Sequence, residues 1–303
     1  MVGGFQPSHN EEGAPLNETD MKTGLVLEGG GLRVLFSVGI MDVMMEHGIR
    51  FDGIIGVSAG ATMGCNYKSH QRQRALRYNQ RFSTDWRYCS LRSWLLTGDL
   101  VGAEYAYHHI PTKMDVFDND TFKADPTDFC IVCTDTVTAE PVYHHLRSLD
   151  YEGLEWLRAT ASLPIVSRPV KVGGRSLLDG GISNSIPLEY WQRQGYSRNI
   201  VILTQPPGFR KKRTKLMPVI KVCCRKMPQI VNALARRHLM YNAQLDYVCA
   251  EAQRGNTLLL CPPEPLKIGR TEMDAAKMQR IYDAGVDYAR QHIDEIIQFV
   301  RRR

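Results

Sequence analysis

The chain has 303 residues, of which 43% are hydrophobic and 23% charged, and its formal net charge is +6. This composition is ordinary for a globular protein, and the length permits one large α/β domain or two smaller ones. No apolar run approaches the roughly 20 residues that span a bilayer, and residues 1–22 lack the basic start and apolar core of a signal peptide. We therefore expect a polar, poorly ordered tail over 1–22 and a cytoplasmic protein.

Apolar runs alternate with helical patterns along the chain, which predicts an α/β fold. The predicted strands cover residues 24–28, 52–57, 129–135, 140–145, 176–179, 199–204 and 256–261. The predicted helices cover residues 32–46, 59–69, 152–162 and 271–303, the last with a candidate break near Gly285. Such alternation favours a mostly parallel sheet covered by helices on both faces. We treat residues 23–303 as one domain with a basic insertion around 208–240.

Eight cysteines are scattered along the chain without the density of a disulfide framework, so we expect them to be reduced. Cys130 and Cys133 form a C-x-x-C pair, a spacing that can indicate metal or redox chemistry. Both lie in the predicted strand 129–135, where residues three apart point to opposite faces. We expect them to pack in the core, and we predict neither a metal nor a cofactor.

Positive charge is concentrated in two stretches. Residues 210–237 contain ten Lys or Arg and no acid, and residues 68–92 contain only Asp85 as an acid. The alternatives are a solvated surface, an anionic membrane surface and nucleic acid. Apolar side chains lie among the cations of 210–237, whereas aromatic side chains do not interleave with them. We therefore expect a peripheral contact with an anionic membrane through 210–237, and no nucleic acid.

Residues 56–60 read GVSAG, between a predicted strand and a predicted helix. This is the setting of a nucleophile elbow, in which a sharp turn lifts the serine hydroxyl out of the sheet. Gly56 and Gly60 leave room for the turn, and Ser58 is the candidate nucleophile. A helix-capping serine is the alternative.

Residues 24–33 read GLVLEGGGLR, with three consecutive glycines after a predicted buried strand. In a parallel sheet the loops after this strand and after the strand 52–57 open on the same edge, beside Ser58. Backbone N–H groups there can stabilise the oxyanion that a serine nucleophile generates. The candidate oxyanion donors are the N–H groups of Gly29, Gly30, Gly31 and Ala59. A dinucleotide fingerprint is disfavoured because its sixth position is Val34.

A serine nucleophile also needs a proton acceptor. The late histidines, His238 and His292, lie in helical patterns and not in a loop after a strand, where a triad histidine belongs. Asp179 ends a short apolar strand in LLDGG, and that flank would partly desolvate its carboxylate, as a general base at neutral pH requires. The alternative is an ordinary Asp-Gly turn.

Together these stretches resemble the patatin-like phospholipase family. The glycine loop with Arg33 resembles its oxyanion loop, GVSAG its nucleophile elbow, and the DGG at 179–181 the acid of its Ser–Asp dyad. The segment RATASLPIVSRPV at 158–170 is similar to the stretch before that aspartate. The resemblance runs from about residue 23 to about residue 191 and departs at Val34, where the family often has glycine. The remaining C-terminal part is most similar to the soluble bacterial members.

The resemblance implies a three-layer α/β/α fold and hydrolysis of phospholipid or lysophospholipid esters by a dyad of Ser58 and Asp179, without a metal. Arg33 is expected to brace the loop and not to react. A soluble thioesterase or small-ester esterase would use the same site. A catalytically silent lipid-binding regulatory protein would bind lipid vesicles without reacting with a fluorophosphonate.

Overall fold

A computed structural model describes residues 21–269 and 272–301. Nearly all of the expected polar tail, residues 1–20, lies outside the described residues, as do both ends of the predicted helix 271–303. The strands of the described part are β1 (Thr23–Leu27), β2 (Gly53–Val57), β3 (Asp128–Asp135), β4 (Pro141–His145), β5 (Val170–Val172), β6 (Arg175–Asp179), β7 (Arg198–Ile202) and β8 (Thr257–Leu260).

The helices of the described part lie between these strands and after them. They are α1 (Val34–Glu46), α2 (Ala59–Lys68), α3 (Arg74–Phe82), α4 (Leu91–Thr97), α5 (Asn119–Ala124), α6 (Tyr151–Thr160), α7 (Leu188–Arg193), α8 (Met217–Cys223), α9 (Pro228–Gln253) and α10 (Ala275–Arg301). Short 3₁₀ turns at Gly31–Arg33 and Gly180–Ile182 and a π-helix at Tyr105–Met114 complete the set. None of these helices is long and apolar enough to cross a lipid bilayer.

The strands form one mixed sheet in the order β5-β6-β3-β2-β1-β7-β8, with β4 also paired to β3. The central pairs, from β3 across to β8, are parallel. Strands β4, β5 and β6 are antiparallel additions beside β3. The predicted α/β class is therefore confirmed, and each predicted strand is present with its ends shifted by at most two residues.

Alternate residues of each central strand pack into two different cores. In β3, Phe129 and Cys133 belong to the larger core, which α1, α2, α6 and α10 cover. Cys130 and Val132 point into the smaller core under α7 and α9. The two cysteines are fully buried on opposite faces of the sheet, so the prediction that they pack in the core is confirmed. Helices therefore cover both faces, which gives the three layers.

Helices α1 and α10 cross at a pair of glycines. A Cβ atom on Gly285 would lie 2.0 Å from the carbonyl oxygen of Phe36, and one on Gly39 would lie 2.3 Å from that of Tyr282. The predicted break near Gly285 is wrong, because α10 is continuous and the glycine serves the backbone contact. Asp42 of α1 accepts a hydrogen bond from the Tyr282 hydroxyl at 2.8 Å, and burial raises the pKa of Asp42 to about 6.

We predict that Gly285→Ala lowers the free energy of unfolding by about 2 kcal/mol or more. At an uncrowded helix position the same change stabilises by about 1 kcal/mol. Here the new methyl group would force the two helices apart, and overpacking of this kind costs more than the propensity gain. Urea denaturation followed by circular dichroism measures the difference. The control is Ala284→Gly, an exposed position on the same helix, which should cost about 1 kcal/mol. An increased free energy of unfolding for Gly285→Ala would contradict a close contact between α1 and α10 at this glycine.

Candidate active site

Ser58 stands in the sharp turn between β2 and α2. Its φ of 54° and ψ of −128° lie in a region that non-glycine residues rarely adopt, a form of strain that concentrates at functional sites. The Ser58 carbonyl accepts the N–H groups of Ala61 at 3.0 Å and Thr62 at 3.1 Å, which starts α2. Its N–H donates to Thr160 Oγ1 at 3.0 Å. The side chain makes no capping hydrogen bond with α2, so helix capping does not account for this serine.

The glycines on either side of Ser58 allow the turn to pack closely. A Cβ on Gly56 would lie 2.7 Å from the Cα of Ala61, inside the elbow itself. A Cβ on Gly60 would lie 2.6 Å from the carbonyl oxygen of Leu27, at the end of β1. Gly60 therefore brings the elbow against the strand that leads into the glycine loop.

The glycine loop lies directly beside the elbow. A Cβ on Gly29 would be 2.8 Å from the Cβ of Ser58, and one on Gly30 would be 2.7 Å from Thr204 Oγ1. Gly31 has a φ of 60° and opens the 3₁₀ turn that precedes α1. Within the described residues, the N–H groups of Gly29, Gly30 and Ala59 donate to no protein acceptor. These amides are therefore available to a bound group.

A buried carboxylate fixes the start of the loop. Glu28 is 4% exposed and accepts hydrogen bonds from the Thr204 N–H at 2.6 Å and from the Tyr241 hydroxyl at 2.6 Å. Burial and the neighbouring Glu28 raise the pKa of Tyr241 above its usual range, so the hydroxyl remains a donor. Glu28 and Tyr241 carry no local sequence signature of this role, because their partners are distant in the chain.

Strand register places Asp179 next to the elbow. Val57, at the end of β2, is paired with Val132 of β3, and Asp179 is paired with Cys133, the next residue of β3. The Asp179 side chain is buried, and its Oδ1 accepts the N–H of Gly181 at 2.8 Å. Asp179 therefore lies level with the elbow along the sheet, with β3 between β6 and β2.

One cavity of about 390 Å³ brings most of the predicted site residues together. It is lined by Ser58, Asp179, Gly29, Gly30, Gly31, Ala59 and Arg33. Gly56 and Gly60 do not line it and pack beneath the turn. Apolar side chains form much of the remaining wall, among them Leu100, Val101, Ile110, Leu154, Leu157 and Val166.

No histidine of the described residues lines the cavity. His292 lies on α10, where its Nδ1 is 2.8 Å from the carbonyl oxygen of Tyr288, and His238 lies on α9. In the same part of the chain, no three His, Cys, Asp or Glu side chains come together as metal ligands would.

Two cations of the basic stretch belong to this cavity and not to the outer surface, which corrects part of the expectation for 210–237. Arg237 of α9 donates from Nε to the carbonyl oxygen of Gly181, in the turn that carries Asp179. The Nζ of Lys211 lies 4.2 Å from the centre of the Tyr241 ring. The charge run was visible in the sequence, but the inward direction of these two side chains depends on the fold.

The comparisons with known proteins match two parts of the chain. The model for patatin-like phospholipases covers residues 25–190, and the model for a domain of unknown function (DUF6363) covers residues 227–301. Lysophospholipase NTE1 of Scheffersomyces stipitis is 26% identical over 287 residues, which are 88% of this chain but only 17% of that protein.

Two further matches are more limited. The uncharacterized protein YjjU of Escherichia coli is 28% identical over 206 residues, 64% of this chain and 56% of that protein. Among solved structures, VipD from Legionella pneumophila aligns with a TM-score of 0.45 at 12% identity, over 90% of this chain and 67% of that one. The chain thus spans only part of the curated relatives that it matches.

We predict that Arg237→Ala slows the reaction of Ser58 with a fluorophosphonate about tenfold. The guanidinium holds the Gly181 carbonyl, and a hydrogen bond from a charged donor is worth about 1.5–3 kcal/mol. Arg237→Lys keeps the positive charge but lacks the Nε–H donor, so its labelling rate should lie between those of the parent and Arg237→Ala. The matched control is Arg236→Ala, the exposed neighbour on the same helix. Equal labelling rates for the two alanine variants, with equal melting temperatures, would show that this contact does not support the site.

Proposed function

This chain belongs to the patatin-like phospholipase family, and from that premise we propose that it is a serine acyl hydrolase of phospholipid or lysophospholipid esters. Ser58 is the nucleophile and Asp179 the proton acceptor. The observation that carries the proposal is the shared cavity, which is lined by Ser58, by Asp179 and by the glycine loop.

In the proposed reaction, the Ser58 hydroxyl attacks the ester carbonyl carbon while its proton passes to Asp179. The carbonyl oxygen becomes an oxyanion, which accepts hydrogen bonds from the N–H groups of Gly29, Gly30, Gly31 and Ala59. When the tetrahedral intermediate collapses, the leaving alcohol takes the proton from Asp179 and the acyl group stays on the serine. A water molecule, deprotonated by Asp179, then attacks the acyl-enzyme. As this second intermediate collapses, the Ser58 oxygen takes the proton back from Asp179 and the fatty acid is released.

The surroundings of Asp179 support its use as a base without a histidine. The carboxylate is 2% exposed, and the Gly181 N–H fixes one of its oxygens. A buried carboxylate that a backbone amide holds in one position is a preorganised acceptor for the serine proton. The histidines of the described residues lie outside the cavity.

Arg33 braces the glycine loop in this proposal. One of its guanidinium nitrogens lies 3.1 Å from the position that a Cβ on Gly30 would occupy, on the cavity side of the loop. The apolar wall suits an acyl chain, and a cavity of this size is in the range that binds small ligands. The relative named lysophospholipase supports a lipid ester as the substrate, because its match extends over 88% of this chain.

We predict that Ser58→Ala and Asp179→Asn each lower kcat for a short-chain ester by about 10⁴ or more. Members of one catalytic unit fail together, so the two losses should be similar and should not add in the double variant. His238→Ala and His292→Ala are the controls and should retain activity. Hydrolysis is measured with p-nitrophenyl butyrate and with lysophosphatidylcholine, and peptide mapping locates the fluorophosphonate adduct. Loss of turnover in either histidine variant would contradict the dyad and favour a triad that includes that histidine.

We predict separately that Gly30→Ala lowers kcat by about 10² to 10³, the usual cost of losing one oxyanion donor. Its methyl group would press on Thr204 Oγ1 and displace the loop amides. Gly269→Ala serves as the control, because a Cβ atom on Gly269 would meet its nearest neighbour, the backbone nitrogen of Glu272, only at 4.0 Å. An unchanged kcat for Gly30→Ala would mean that the loop is only a tight turn.

A further inference from the structure

Exposed apolar side chains are concentrated on two short helices. Leu91, Leu95 and Leu96 of α4 are 71%, 76% and 66% exposed. At α8, Leu216, Val219 and Val222 are also exposed. Together with Trp94, they account for seven of the thirteen exposed large hydrophobic side chains of the described residues. Exposed apolar patches of this kind are typical of interaction sites.

Ile165 contacts both α4 and the apolar cluster to which the buried face of α8 belongs. The indole Nε1 of Trp94 donates to the Ile165 carbonyl oxygen at 2.8 Å. The Ile165 side chain packs against the cluster that contains Met217 and Ile220, the buried face of α8. Ile165 has a φ of 77°, which is rare for a β-branched residue and which these contacts hold in place. The region around Ile165 therefore connects α4 with the cluster that contains the buried face of α8.

This region adjoins the cavity. Leu163 and Val166, on either side of Ile165, both line the cavity. Helix α4 lies in the segment between Cys89 and Val101. These two residues pair in an isolated β-bridge, and both line the cavity. An acyl chain that left a lipid layer beneath α4 and α8 would thus enter between segments that form the cavity wall.

Positive charge accompanies the apolar side chains at α8. Lys215, Lys221, Arg225 and Lys226 are all exposed, and residues 210–237 contain no acid. On α4, Arg92 is exposed between Leu91 and Ser93. Cations beside exposed aliphatic side chains match a layer whose surface is anionic and whose interior is apolar.

We propose that α4, Leu216 and α8, with these cations, form a docking surface for an anionic phospholipid bilayer, which places the cavity mouth against the lipid. The choice of a lipid as the occupant rests on the proposed function. A second copy of the chain and a protein partner are the competing occupants. Charge complementarity and continuity with the cavity favour the bilayer.

The first experiment measures sedimentation with vesicles of phosphatidylcholine and phosphatidylglycerol. It uses Ser58→Ala protein, so the lipid is not consumed and the result does not depend on whether Ser58 is the nucleophile. Leu95→Ser with Leu96→Ser, and Val219→Ser with Val222→Ser, should each weaken binding at least tenfold. The matched control is Val116→Ser, because Val116 is 60% exposed beside Gln71 and belongs to neither helix.

The charge contribution is tested with Lys221→Glu combined with Arg225→Glu. This variant should bind anionic vesicles at least tenfold more weakly, and the difference should shrink as salt is raised. Its binding to pure phosphatidylcholine should change little. Arg290→Glu, an exposed change on α10, should bind as the parent does.

Several results would overturn the proposal. One is parent-like vesicle binding by both serine double variants, and another is an equal loss in Val116→Ser. A third is a dimer, seen by sedimentation equilibrium, that the serine substitutions dissociate without weakening vesicle binding. The surface would then join two copies of the chain. With Ser58 intact, the serine variants should lose hydrolysis of vesicle lipid and keep that of p-nitrophenyl butyrate. Loss of both activities would point to a damaged site instead.

Discussion

The turns that follow β1 and β2 touch through their backbones, and the chemistry of the site depends on that contact. Gly29 lies against Ser58, and Gly60 lies against the carbonyl of Leu27, at distances that leave no room for a Cβ atom. The buried carboxylate of Glu28 then holds the end of β1 through Thr204, which follows β7, and Tyr241 of α9. Ser58 and the loop amides are thus held by main-chain packing, which fixes distances more tightly than flexible side chains can.

The C-terminal region that matches the domain of unknown function contributes to both layers of helices. Its α9 covers the smaller core and supplies Tyr241 to Glu28 and Arg237 to Gly181. Its α10 covers the larger core through the glycine crossing with α1. The patatin-like region provides Ser58, Asp179 and the glycine loop, while the C-terminal region packs against them through Tyr241 and Arg237. This division gives a physical role to a segment that no recognised motif explains.

Local patterns were sufficient to predict seven of the eight strands of the described residues, the elbow and the glycine loop, because each of these has a local signature, whereas the three-residue strand β5 was missed. The contacts from α9 were not predictable, since Arg237 and Gly181 are 56 positions apart and nothing local couples them. Gly285 suggested a break in the helix, and only the position of α1 shows that this glycine serves a close contact between two helices. Likewise, the charge of 210–237 was evident, but the fold determines that Lys211 and Arg237 turn inward while Lys221 and Arg225 face outward.

The sheet order also limits how the molecule can be divided. The family match ends at residue 190, yet β1, which carries the glycine loop, is hydrogen-bonded on one side to β7, at Arg198–Ile202. A fragment that ended at residue 190 would leave β1 unpaired on that side. It would also expose Leu25 and Leu27, which α10 helps to bury. Unpaired hydrophobic edges recruit strands from other chains, so such a fragment would aggregate. The region that matches the family thus shares its sheet and its larger core with β7 and α10, which lie beyond it.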